Sequence, residues 1–168
     1  MRINALIGTL FIGPLAIGQG FNERFDLSGN GFAQTGWGIE RTSSGYCTIG
    51  ISSDYDSVGV DSFFFHATIV HTFVTETGEL VDEVRNWRAD GNAFPGWANC
   101  CDTVPGGGFI IGGSGEDSTG FSEVLLMRFN AQGDTLWTRM FGDPDQNDYW
   151  IGRQVKRVQD GGFVIVGA

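Results

Sequence analysis

The chain has 168 residues, among them 27 glycines, 14 phenylalanines, 5 tryptophans and a single lysine, Lys156. Twenty acidic residues against 10 basic ones give a formal net charge of −10, which disfavours polyanionic partners such as nucleic acid and anionic membrane. Long Ala-, Leu-, Glu- and Lys-rich stretches at helical spacing are absent, so the composition favours an all-β chain.

The first 18 residues predict a signal peptide. Arg2 supplies the positive start, Ala5–Ile12 the apolar core, and Ala16-Ile17-Gly18 the small residues of a cleavage site. The apolar stretch falls short of the ~20 residues of a membrane span, and Gly13-Pro14 interrupts it. A buried first strand or helix is the alternative, but neither polar alternation nor a helical stripe organises the segment. The expectation is an exported protein, secreted or held at the cell surface, whose mature chain begins near Gln19.

Downstream, one phrase recurs. Gly45-Tyr46-Cys47-Thr48-Ile49-Gly50, Gly108-Phe109-Ile110-Ile111-Gly112-Gly113 and Gly162-Phe163-Val164-Ile165-Val166-Gly167 each place an aromatic residue before a short apolar run between glycines. A repeat every ~50–60 residues is the mark of a modular β architecture. In chain order, Phe21–Leu27 reads as a lone strand. A first unit then predicts strands at Trp37–Arg41, Tyr46–Ser52, Ser62–Val74 and Leu80–Arg88, with a loop at Ser53–Asp61 and a turn at Thr75–Glu79. A second unit predicts Trp97–Val104, Phe109–Ser114, Ser122–Phe129 and Thr135–Phe141, the last pair joined by the turn Asn130–Asp134. Trp150–Val158 and Phe163–Ala168 begin a third. Gly78 and Gly133 hold matching turn positions, Trp137 follows the second turn, and Val124-Leu125-Leu126-Met127 reads as a strand buried on both faces.

Four-stranded antiparallel meanders repeated in this way predict blades of a β-propeller. Residues 19–168 then form a partial, open propeller with two complete blades, 37–88 and 97–141, a leading strand and a truncated third blade. Such a chain is expected to be a fragment of a longer product or to associate with copies of itself. A β-sandwich is the alternative fold, since it too has short strands at regular spacing, although it gives no reason for the repeated phrase.

The phrases DGGFVIVGA (160–168), VLLMRFNAQGDTLW (124–137) and FGDPDQNDYW (141–150) resemble the repeats of secreted β-propeller-like proteins that carry a C-terminal type IX secretion sorting domain. The resemblance covers about residues 21–168 and is clearest from 97 onward. It implies export by that route and a propeller architecture. It implies no activity; within residues 1–168 no sorting domain is read, and Gly-Asp-Pro stands where those repeats often have a double glycine.

Candidate sites are few. Asp143, Asp145, Asn147 and Asp148 place oxygen ligands at alternate positions, as calcium loops do, against the plainer reading of an Asx-rich turn. Asp54-Tyr55-Asp56 with Asp61 gives a second acidic cluster on a predicted loop. Trp37, Trp87, Trp97, Trp137 and Trp150 recur near strand ends and read as packing between blades rather than as a ligand platform. Cys47, Cys100 and Cys101 allow one disulfide from Cys47 to either partner, or read as three small buried residues. His66 and His71, five apart on one strand, project to opposite faces and do not chelate together. No catalytic residues and no cofactor other than calcium are assigned. The expected function is a non-catalytic binding scaffold for an unknown protein or glycan ligand. The alternatives are an accessory region of a polysaccharide-active secreted enzyme and a calcium-stabilised structural repeat.

Overall fold

A computed structural model of the protein describes residues 34–57, 63–86, 88, 91–117, 121–142 and 150–168, which form antiparallel β-sheets and contain no helix. The predicted signal segment and the lone strand at 21–27 lie outside the described residues. The first sheet has β1 (Gln34–Arg41), β2 (Gly45–Ser57), β3 (Phe63–Thr75) and β4 (Leu80–Asn86) side by side in chain order. The middle sheet contains β5 (Gly91–Pro95), β6 (Cys101–Thr103), β7 (Phe109–Asp117), β8 (Ser122–Phe129) and β9 (Thr135–Phe141). The last is the hairpin β10 (Gly152–Arg157) and β11 (Phe163–Gly167). None of the sheets closes on itself.

One turn design builds most of the hairpins. At β3–β4, Thr75 N–H donates to Glu79 O (2.9 Å) and Gly78 N–H to Thr75 O (3.1 Å). At β8–β9, Asn130 N–H donates to Asp134 O (3.0 Å) and Gly133 N–H to Asn130 O (3.2 Å). Gly78 and Gly133 both have φ 89°, the left-handed conformation that a three-residue loop with a glycine bulge requires. The side chains stabilise the same loops. Thr75 Oγ1 accepts from the N–H of Thr77 and Glu79, and Asn130 Oδ1 accepts from those of Gln132 and Asp134. The β6–β7 and β10–β11 turns repeat the pattern at Val104–Gly108 and Val158–Gly162.

Two strand predictions need correction. β2 and β3 pair without a slip from Gly45↔Thr75 to Ser57↔Phe63, so Asp54, Tyr55 and Asp56 belong to a strand and not to a loop. Phe63-Phe64-Phe65, strong β-formers, lie opposite Ser57, Asp56 and Tyr55 and extend the ladder. The strand expected at Trp97–Val104 shrinks to β6, and β5 ahead of it was not expected. β5 pairs with β7 up to Pro95↔Gly113, and β6 resumes at Cys101↔Ile111. Gly96 N–H donates to Gly112 O (2.9 Å), and Gly112 N–H donates to Cys100 O (2.8 Å). Residues 97–99 therefore leave the sheet and return to the same partner, with Asn99 at φ 64° completing the excursion. Pro95, with no N–H to give, suits the last position before the break.

The three sheets pack in series. β1, β2 and β3 touch β5 or β6, while β10 touches β6, β7 and β8. The middle sheet consequently buries both faces, and the period-2 alternation of its strands sorts the side chains. Phe109, Ile111, Leu125, Met127 and Phe129 join Cys47, Ile49 and Ile69 of the first sheet in one core. Ile110 and Leu126, one residue out of step, join Val155 of β10 in a second, with Phe163 and Ile165 packed against it.

Candidate functional site

The structure disperses the aromatic residues that the sequence suggests as packing elements. Trp37, Trp97, Trp137 and Trp150 are 37%, 57%, 36% and 41% exposed, so none is a core residue, and Trp87 lies outside the described residues. The sheets dock instead through phenylalanine, aliphatic and sulfur side chains. The physical reason is position. Trp137 lies on β9, the outer strand of its sheet, with Arg139 over its ring (5.4 Å), and Trp97 sits in the excursion beneath the Arg153 guanidinium (4.0 Å). Cation–π contacts of this kind hold an exposed ring without burying it.

Gly45 and Gly108 each approach the neighbouring strand so closely that a Cβ would strike Val74 O and Phe129 O respectively, and Gly162 faces Asp160 Oδ1. Phe109 is buried towards the first sheet, whereas Tyr46 and Phe163 are half-buried.

A cleft of about 240 Å³ opens where the excursion meets the start of β10. Phe94, Trp97 and Ile151 supply its apolar lining, and Ser114, Glu116 and Ser122 supply oxygen. An exposed indole beside a carboxylate and hydroxyls combines an apolar contact face with orienting polar groups, the mixture that recognises amphipathic ligands. The β5–β7 ladder sets Asn92 opposite Glu116, where Asn92 Nδ2 donates to Glu116 Oε2 (3.2 Å).

Sequence reasoning missed a polar lock between the first two sheets. His71 on β3 is fully buried, ringed by Phe73, Phe109 and Phe129, the last at 4.4 Å edge-on. Its Nδ1 lies 3.1 Å from Asn86 Nδ2, which also donates to Gly133 O (3.0 Å), and Thr135 Oγ1 donates to Asn86 Oδ1 (2.8 Å). Asn86 thus ties β3 and β4 to the β8–β9 hairpin. Nε2 of His71 has no partner among the described residues, and burial lowers its pKa to about 4, so the ring is neutral near pH 7. The available signal was a histidine inside the largely apolar β3 pattern; Asn86, at the end of the charged strand β4, gave none.

Asp143, Asp145, Asn147 and Asp148, the predicted calcium ligands, lie outside the described residues, as do Asp61 and the side chains of Asp54, Asp56 and His66. Among the described residues no group of three or more His, Cys, Asp or Glu is arranged to hold a metal ion, and no helix is long and apolar enough to cross a membrane. Cys47, Cys100 and Cys101 are buried free thiols. Burial and then the nearby charge of Glu40 push the Cys47 thiol up to about 12. No protein-family model matches the chain, and no curated protein matches it.

Proposed function

We propose that this protein is an exported β-propeller-type repeat protein that acts as a non-catalytic binding scaffold at the cell surface or outside the cell. Its ligand is a glycan or a protein, met by aromatic and acidic groups. One observation carries the reading. The middle sheet is buried on both faces between two sheets of the same hairpin design. Stacking in series suits propeller modules, each of which covers its neighbour, better than the two facing layers of a sandwich. The resemblance of residues 97–168 to secreted propeller-like repeats with a type IX sorting domain supports the same reading and the extracellular address.

Binding is assigned to the seam cleft because strands β7 and β8 hold its Glu116 and Ser122, and the excursion between β5 and β6 sets Trp97 beside them. The test is a glycan array and a surface-protein pull-down with the full chain, followed by Trp97→Ala. The expected outcome is a ligand whose affinity falls about tenfold or more in the variant. Blank results in both assays would overturn the scaffold reading. Cleavage of a bound polysaccharide would replace it with the enzymatic alternative.

A further inference from the structure

Cys100 and Cys101 are adjacent, and on a regular strand their side chains would leave on opposite faces. The excursion that ends at Asn99 brings both sulfurs to one place instead. A Cβ on Gly38 would lie 2.6 Å from Cys101 Sγ and 3.4 Å from Cys100 Sγ. Gly38 stands at the register shift of β1, and its missing side chain leaves the room that the sulfurs occupy. Cys101 Sγ also donates to Glu40 Oε1 at 3.5 Å. A cavity of about 450 Å³, lined by Trp37, Ile39, Glu40, Asn99 and Cys101, opens from this point to solvent.

We propose that Cys100 and Cys101 form a dithiol site that reacts with small disulfides entering this cavity and closes to a Cys100–Cys101 disulfide. The Glu40 carboxylate takes the Cys101 proton. The Cys101 thiolate attacks one sulfur of the incoming disulfide, forming a mixed disulfide and expelling the first thiolate. The Cys100 thiolate then attacks Cys101 Sγ, closing the protein disulfide and expelling the second. Two electrons pass to the small disulfide, and the two thiol protons end on its two released thiols. The contact between the two thiols lowers the Cys100 thiol and, together with burial, raises that of Cys101, so the sulfur that lines the cavity gives up its proton only with the help of the Glu40 carboxylate beside it. Cys47, across the ladder from Glu40, does not line the cavity and takes no part.

Burial raises the Glu40 pKa above the usual carboxylate range. The Cys101 hydrogen bond and Lys156 oppose that effect, and Asp102 adds to it. The reaction therefore slows as pH falls and Glu40 gains a proton.

The test uses oxidised glutathione on the full chain, read by intact mass and peptide mapping. Loss of two hydrogens, mapped to the peptide with both cysteines, is expected, with Cys47 still free. Cys100→Ser should trap a glutathione adduct on Cys101, Cys101→Ser should form none, and Glu40→Gln should slow adduct formation about tenfold or more. Phenylarsine oxide, which bridges neighbouring thiols, needs no variant and should bind the untreated protein one to one. A disulfide through Cys47, an adduct on Cys100 as fast as on Cys101, or failure of both reagents would overturn the assignment.

Discussion

The two seams of this molecule are built differently. Between the first and middle sheets, large side chains interlock: Phe129, Ile49, Ile69, Leu125 and Met127 are almost wholly buried, with the His71–Asn86 lock set among them. Between the middle and last sheets the buried cluster among the described residues is Ile110, Leu126 and Val155, and backbones do much of the fitting. A Cβ on Gly112 would come within 2.9 Å of Ile165 Cδ1 and 3.0 Å of Val155 Cβ, and one on Gly96 or Gly152 would strike Arg153 O or Gly113 O. Side-chain interdigitation dominates one seam, where Gly38 makes room for the Cys101 sulfur, and glycine-mediated approach dominates the other. The first tolerates no loss of volume. The second tolerates no gain.

Phe129→Ala tests the first half of that contrast and carries the largest expected effect, about 3–5 kcal/mol by chemical denaturation. A loss below about 1 kcal/mol would mean that the first seam does not depend on filled volume. Acid should attack the same seam through His71. Its folded pKa of about 4 lies below its ordinary value near 6.5, so the unfolded chain binds more protons between those pH values. Stability from this group is complete above about 6.5 and falls as pH drops towards 4, by roughly 3 kcal/mol in all. Unfolding curves of wild type and His71→Phe between pH 7 and pH 4 should diverge accordingly, and parallel curves would refute the link.

Gly112→Ala probes the second seam by adding volume. Ile165 and Val155 must shift, at about 1–3 kcal/mol, and hydrogen exchange should rise in β10–β11 while the first sheet keeps its protection. Uniform loss of protection would show that the two seams are one cooperative unit. The smallest effect belongs to a contact outside both seams. Arg41 and Glu76 pair at 2.9 Å but their side chains are 71% and 67% exposed, so Arg41→Ala should change the unfolding free energy by less than ~1 kcal/mol.

Residue pattern and tertiary outcome part company at particular places. The turns around Gly78 and Gly133 can be read from sequence because a positive φ and a capping Thr or Asn are local demands. The run at 124–127, expected to face two ways, does so at Leu125, Leu126 and Met127. The break at Pro95–Gly96 escaped prediction because Trp97 and the cysteines carry strand-like apolarity. Only pairing of both halves to β7 reveals the excursion. The Trp97 cleft and the Cys100–Cys101 pair both depend on it, so neither site could be seen in the pattern. Trp37 and Trp137 are exposed on the outermost strands β1 and β9; large apolar character does not say whether a strand lies inside a sheet or on its rim.

Alternation, glycine-bearing turns and β-rich composition were enough to specify antiparallel all-β hairpins, since each depends on residues a few places apart in the chain. Which faces meet, where a strand leaves its sheet, and which polar groups end up buried together were decided only when the sheets packed. Those outcomes hinge on contacts between residues tens of positions apart, such as Asn86 with Gly133 and Gly38 with Cys101, for which no local preference exists.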